Sequence, residues 1–319
     1  VSDVREAASR LGPGIHLVHK PRGETSFSLV RAFQEALRDQ HLEPLPVAHG
    51  GALDPFAEGL LLILAGPATK LMEELHPIPK SYEAVLSWGL ETDTGDEGGK
   101  PVLQGETASL TPQLLETALE EQVGWQDQVP PNTSNKRIEG ERAWQKAHRG
   151  ESFALPPSRV YLHEAKFTAH ALPRTSTLRL TCRGGYYVRA LARELGRVVG
   201  AGAHLTALRR TQIGPWLDPA ELSKPWLSKL PKVGPELLPW LRSRELTPAE
   251  AIAVELKREI PRGTLAPGAF ALPDGFPGPG AGPRDRPAAI RGLCAGKLRA
   301  LLRERGDALL LHTDLDGGL

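Results

Sequence analysis

The six residues from Leu60 to Ala65 constrain this chain more than any other stretch. They are apolar without a break and read as a strand buried on both faces. Such a strand needs a sheet with cover on either side. At 319 residues the chain can supply that cover, as one large domain plus a small one. Ahead of the run stands His49-Gly50-Gly51-Ala52-Leu53-Asp54-Pro55-Phe56-Ala57-Glu58-Gly59. Glycine admits backbone angles closed to other residues and leaves room for a ligand. Pro55 fixes its own φ and keeps Asp54 out of helical angles. A rigid loop is therefore expected, feeding the strand and holding the Asp54 carboxylate in one direction. Asp before Pro is also ordinary turn chemistry, so taken alone Asp54 reads first as a turn or cap residue.

Charge nearly cancels, with 39 Lys and Arg against 38 Asp and Glu and a formal net charge of +1. That excludes a polybasic protein, and a nucleic-acid partner must be met by a local patch. Cys182 and Cys294 make no C-x-x-C pair and no disulfide framework; they read as buried thiols in a reducing compartment. His16 and His19 have no further ligands nearby in sequence, so no metal site is expected. Asp3, Arg5, Glu6 and Arg10 stand in the first ten residues, and no signal peptide or long apolar span is visible. A cytoplasmic protein without a membrane partner is expected.

Residues 1–14 read as a short helix or arm, and Ile15 to His19 as a strand. Lys20-Pro21-Arg22-Gly23-Glu24-Thr25-Ser26 is a turn, with Ser26 as cap of a helix that places Phe27, Val30, Phe33 and Leu37 at helical spacing. Lys20, at the strand end, is either a solvated lysine or a dock for phosphate or carboxylate. Residues 41–48 form a Pro-containing loop. A short helix is expected from Ala68 to Leu75, and a strand from Ser81 to Gly89 with Tyr82, Ala84, Leu86 and Trp88 on one face. Tyr82 is then core, or faces a cavity at the strand's start. Thr92 to Asp96 is a polar turn, and Thr111-Pro112 starts a helix.

After Gln128-Val129-Pro130-Pro131 comes a basic arm with Lys136, Arg137, Arg142, Lys146 and Arg149. It is either a solvated hairpin or a flap for a polyanion. A strand from Thr177 to Cys182 runs through Gly184-Gly185 into a helix starting at Val188. Between Cys182 and Thr211, Arg183, Arg189, Arg193, Arg197, Arg209 and Arg210 face one acid, Glu194, the best basic patch in the chain. Residues 215–243 are expected to wrap the domain. Thr247 caps another helix, Gly268 to Pro287 reads as a mobile low-complexity loop, and two short strands follow at Ala288–Ala295 and Ala308–His312.

Six motifs in order resemble the TruB family of tRNA pseudouridine synthases, across roughly residues 12–215. They are Lys20-Pro21-x-Gly23-x-Thr25-Ser26, the His49 to Leu61 stretch, Lys80-x-Tyr82 with Thr92-Asp93-Thr94-x-Asp96, Gln128-Val129-Pro130-Pro131 with Arg142-Ala143, Gly185-x-Tyr187-Val188-Arg189, and Gly202-Ala203-His204-Leu205-x-x-Leu208-Arg209-Arg210. The tail resembles, more weakly, a PUA-type RNA-binding domain.

The resemblance implies an α+β pseudouridine synthase fold. A mixed, mostly antiparallel central sheet would be flanked by helices, with a small β-rich PUA-like domain at the C-terminus. The catalytic domain would span 1–243, with a basic thumb at about 128–158, and the PUA-like domain 244–319. It also implies isomerisation of uridine to pseudouridine at position 55 in the T-loop of tRNA, without metal or organic cofactor. Asp54 would be the covalent catalyst, attacking sugar or base. Arg189 would keep it ionised, and Tyr82 would stack on the base and take the C5 proton. Tyr187 and Leu208 would line the pocket, Asp96 would bind the nucleotide, and His49 would fill the space left by the flipped base. Lys20, Lys136, Arg137, Arg142, Arg209 and Arg210 would hold RNA phosphates.

The chain departs from the family at Asn135 and Arg137, where alanine and lysine are usual, at Trp144 for a tyrosine, and at Arg183-Gly184-Gly185-Tyr186 for Ser-Lys-Gly-Thr. The competing expectations are a tRNA-binding or folding protein that acts without turnover, and a guide-RNA-dependent enzyme. A basic thumb of its own favours a stand-alone monomer with no obligate protein partner or guide RNA.

Overall fold

The computed structural model describes residues 12–39, 44–221, 231–283 and 285–319. The expected arm at 1–11, part of the 41–48 loop and part of the 215–243 wrap lie outside them. Contacts divide the chain into two compact units, one made of residues 1–78 and 212–319 and the other of residues 79–211.

The first unit opens with β1 (Gly14–Lys20), α1 (Ser26–Asp39), β2 (Val47–His49), β3 (Glu58–Ala65) and a 3-10 helix (Gly66–Leu75). β3 pairs antiparallel with β1, Leu17 opposite Leu62, and with β2, His49 opposite Ile63. Its alternation serves two cores. Leu61 and Ile63 pack with Leu29, Phe33 and Leu37 of α1 on one face, while Leu60, Leu62 and Leu64 enter a second cluster on the other. The unbroken apolar run is thus explained, since each fully buried leucine contributes roughly 1.5–3 kcal/mol.

The second unit holds β4 (Lys80–Trp88), β5 (Leu90–Thr92), β6 (Pro101–Gln104), α2 (Pro112–Glu120), β7 (Gly124–Gln128), β8 (Arg137–Ile138), β9 (Glu141–Arg142), α3 (Ala143–His148), β10 (Ser158–Ala171), β11 (Thr175–Cys182), α4 (Val188–Val198) and most of β12 (Ala203–Ile213). The main strands lie in the order β12-β4-β11-β10-β7. β4, β11, β10 and β7 pair antiparallel, with Tyr82 opposite Leu180. Thr111 caps α2 by accepting from the Leu114 amide at 3.2 Å. The basic arm is the small hairpin β8-β9 followed by α3.

Back in the first unit come β13 (Trp216–Leu217), β14 (Ser243–Glu245), α5 (Pro248–Glu255), β15 (Ile260–Pro261), β16 (Ile290–Cys294), β17 (Lys297–Arg305) and β18 (Ala308–Asp314). The last five strands form a sheet in the order β14-β16-β17-β18-β15, with β14 and β16 parallel and the other pairs antiparallel. Thr247 and Glu250 form a capping box on α5. The described residues of the 268–287 stretch, expected to be a mobile loop, make packing contacts. The Phe270 amide donates to the Pro239 carbonyl at 3.0 Å, Phe276 is buried, and Phe270 and Leu272 pack on the core. The chain is α+β, with a β-rich sheet at its C-terminal end.

Candidate active site

In the first unit the turn after β1 braces the Asp54 loop. The Gly50 amide donates to the Leu62 carbonyl at 2.8 Å, and a Cβ on Gly50 would come within 3.1 Å of Leu62 and 3.0 Å of Leu75, so any side chain there would press on both leucines. The Ser26 hydroxyl accepts from the Leu53 amide at 2.8 Å and donates to the Leu53 carbonyl at 3.0 Å. The expected cap role falls instead to Thr25, whose Oγ1 accepts from the Ser28 amide at 2.9 Å, which leaves the Ser26 hydroxyl for Leu53. The Gly23 amide donates to the Pro55 carbonyl at 2.8 Å, and the Asp54 carbonyl accepts from Ala57 at 3.1 Å. The residues on either side of Asp54 are therefore pinned by the first motif. The Asp54 side chain is half-buried, as is His49 at the end of β2.

Lys20 is not the phosphate ligand expected. It is fully buried, and its ammonium donates to the carbonyls of Pro21 at 2.9 Å, Glu24 at 2.7 Å and Pro55 at 3.5 Å. It closes the turn around its own charge, and its reach to Pro55 ties it to the Asp54 loop.

In the second unit Arg189 sits one residue into α4 and is buried. Its Nη1 donates to the Thr94 carbonyl at 2.8 Å and to Thr133 Oγ1 at 2.6 Å, and lies 3.5 Å from Asp96 Oδ2. Asp96 is fixed in turn, its Oδ1 accepting from Thr94 Oγ1 at 2.9 Å and from the Gly98 amide at 3.0 Å. Gly95, at φ +74°, lets this loop touch the helix, because a Cβ there would meet Arg189 Cβ at 3.1 Å. The Tyr187 amide donates to Gln128 Oε1 at 2.9 Å, and the Tyr187 ring is half-buried. Tyr82 is half-buried near the start of β4, while Ala84, Leu86 and Trp88 further along its face are buried. That favours the cavity-facing alternative over the core one. Leu208 is buried on β12. Thr94 stands in a motif already singled out in the sequence, whereas Thr133 was missed as a site residue, because a small hydroxyl residue in a loop carries no periodic signal.

Arg210 is also not placed to meet RNA. It is 2 % exposed and lies among Lys80, Cys182 and Arg183, its neighbours in a buried cluster. Burial, then the Arg210 charge, pulls the Lys80 ammonium down to about 7, and burial pushes the Cys182 thiol up to about 12. Arg209, alternating with it on β12, is half-buried. In the arm, Arg137 is exposed and donates to the Gly140 carbonyl at 2.9 Å, while Arg142 donates to the Asn135 carbonyl at 2.7 Å. Lys136 is half-buried. Lys146 and Arg149 pair with Glu139, Glu141 and Glu151, which offsets part of the arm's charge.

Residues 40–188 match the family model described as TruB family pseudouridylate synthase, N-terminal domain. A relative from Arthrobacter sp. (strain FB24), named tRNA pseudouridine synthase B, is 33% identical over 306 residues, covering 92% of this chain and 93% of its own. One of the same name from Xanthomonas campestris pv. campestris (strain 8004) is 37% identical over 221 residues, covering 69% and 70%. A third from Mycobacterium bovis (strain BCG / Pasteur 1173P2) is 35% identical over 263 residues. Among solved structures, a chain of an H/ACA RNP bound to a substrate RNA containing 2'-deoxyuridine covers 98% of this chain with a TM-score of 0.62 at 16% identity, a likeness of fold. Among the described residues no helix is long and apolar enough to cross a membrane. With a relative 33% identical and matched over nine-tenths of both chains, this chain belongs to the TruB family of pseudouridine synthases.

Proposed function

We propose that this chain isomerises uridine to pseudouridine at position 55, in the T-loop of tRNA, with Asp54 as the covalent catalyst. Family membership carries the isomerisation of uridine in tRNA; the T-loop position and the aspartate go beyond it. The observation that supports Asp54 is its loop, held on both sides of the carboxylate by Ser26 and Gly23. In the reaction the N1–C1′ bond of the uridine breaks, the base turns, C5 bonds to C1′, the C5 proton leaves, and N1 takes up a proton. The product is an isomer, so no atom is gained or lost. A carboxylate suits the covalent step, either at the sugar or at the base, because carboxylates trap sugar electrophiles in glycoside chemistry.

Tyr82 is assigned to stack on the base and take the C5 proton. Arg189 supplies the positive charge that keeps a reacting carboxylate ionised. Tyr187 and Leu208 line the base pocket, Asp96 hydrogen-bonds the nucleotide, and His49 fills the space left when the base flips, a step costing roughly a few kcal/mol. Lys136, Arg137, Arg142 and Arg209 hold phosphates. Residues 244–319 act as a PUA-like RNA-binding domain. The enzyme works as a cytoplasmic monomer without guide RNA or protein partner.

The test is tritium release from tRNA labelled at C5 of its uridines, with wild type and Asp54→Asn. Release of about one equivalent per tRNA by wild type, lost in the variant and in a tRNA lacking the T-loop uridine, is expected. Turnover by Asp54→Asn would remove that residue from its role. Tight binding without release by wild type would favour a tRNA-folding protein instead.

A further inference from the structure

A cavity of about 390 Å³ lies within the first unit, lined by no residue of the Asp54 loop, where the end of the 3-10 helix meets β17 and the Gly/Pro-rich stretch. That volume is in the range of small-ligand sites. Its walls include Met72, Pro77 and Pro279, flat or flexible apolar surfaces. Glu73 and Arg286 pair at 3.0 Å at its exposed rim. Deeper in stand Glu74 and Arg303, whose side chains are 9 % and 18 % exposed.

These two are near each other but unsatisfied. The Arg303 guanidinium is 3.9 Å from the Glu74 carboxylate, too far for a hydrogen bond. Its Nη2 is instead 3.0 Å from His312 Nε2. Its Nη1 is buried and has no hydrogen-bond acceptor among the described residues. Burial raises the Glu74 carboxyl above its usual range, with Arg303 opposing. A buried donor left unmade is costly, so a ligand acceptor placed there is strongly favoured.

The charge pattern narrows the ligand. A phosphate would meet Glu73 and Glu74, and a cation would meet Arg286 and Arg303. A neutral group with acceptor and donors side by side meets both. We propose that this cavity binds a guanine base. Its O6 accepts from the Arg303 guanidinium, which turns to bring its buried Nη1 to the cavity, and its N1–H and N2–H donate to the two oxygens of Glu74. Arg on the O6 of guanine is the commonest specific base contact, and a carboxylate suits a paired donor edge. Asp285 is left to its loop, where one oxygen accepts from the amides of Gly280 and Gly282 at 3.0 and 3.1 Å. The guanine belongs either to RNA or to a free nucleotide.

The site uses no residue assigned to catalysis, so its failure and that of the isomerase proposal are separate results. The experiment measures fluorescence anisotropy of the labelled oligoribonucleotides CCGCC, CCACC and CCCCC, which contain no uridine, with GMP as competitor. CCGCC is expected to bind roughly tenfold tighter than the other two, within the range of one good bidentate contact. Glu74→Gln, which keeps size and shape, and Arg303→Lys should each erase that preference. Displacement of CCGCC by GMP at matching concentration assigns the site to free nucleotide, and resistance to GMP assigns it to RNA. If CCGCC shows no preference, GMP binding lost in both variants supports the free-nucleotide form. Equal binding of the three oligonucleotides with no GMP binding overturns the proposal, as does a guanine preference that survives both variants.

Discussion

Ser26 shows how much one hydroxyl decides. It satisfies both the amide and the carbonyl of Leu53, one residue before Asp54. Ser26→Ala leaves both buried groups without it, so urea unfolding should show a loss of about 1–3 kcal/mol. Turnover should fall with tRNA affinity unchanged, since the change disturbs the aspartate loop and touches no phosphate. Lys20 and Arg210 make the opposite point. Each is a cation that sequence assigns to RNA, and each is buried. The slope of log binding constant against log salt should drop by about 1 in Arg137→Ala and stay unchanged in Lys20→Met, because only a charge on phosphate releases a counterion. A reduced slope in Lys20→Met would restore its phosphate role.

Elements set charge states that no single residue would. Lys80 and Cys182 face each other across β4 and β11, and Arg210 lies beside them, so the Lys80 ammonium is pulled down to about 7. A folded-state pKa below the unfolded one means the buried charge costs stability in full below pH 7. That cost shrinks as pH rises from 7 toward the unfolded value. Lys80→Met should therefore stabilise the fold more at about pH 6.5 than at about pH 9.5, measured by denaturant titration. A gain independent of pH would mean the lysine stays protonated in the fold across that whole range. Gly196 on α4 marks another element-level constraint. A Cβ there would overlap the Ala203 amide, so Gly196→Ala should lower the melting temperature by several degrees or prevent folding.

Across the first unit, one core joins distant parts of the chain. Ile15, Leu60, Leu62 and Leu64 share a cluster with Trp240, Leu298, Leu301 and Leu315. The chain end is woven in as well, with the Gly234 amide donating to the Leu319 carbonyl at 3.1 Å and Leu319 bonded both ways to Leu298. Cutting the chain after residue 243 should therefore leave the remaining part aggregating or melting far lower, read by thermal unfolding of the truncated protein. A truncated protein with the full melting temperature would show that the shared core carries little of the stability. The uncovered leucines and tryptophan would each forfeit roughly 1.5–3 kcal/mol.

Much of this was legible before any coordinates. The apolar run at Leu60 gave a doubly buried strand, the alternation at Tyr82 gave β4, and Thr111 and Thr247 gave helix starts, because periodicity and capping are local. β17 was not legible. Its sequence Lys297-Leu-Arg-Ala-Leu-Leu-Arg-Glu-Arg305 hides Leu298, Ala300, Leu301 and Leu302 among charges, although the strand is the central one of its sheet. The ordering of the Gly/Pro stretch was hidden too, since Phe270 and Phe276 find their partners only in space. Sequence determined which residue types stand in the aspartate loop and in what order, because that information is chemical and contiguous. Tertiary structure alone decided that Lys20 and Arg210 are internal, that Thr133 and Thr94 hold Arg189, and that Glu74 and Arg303 face one cavity. Burial and partner choice depend on residues far apart in the chain, and no local pattern records them.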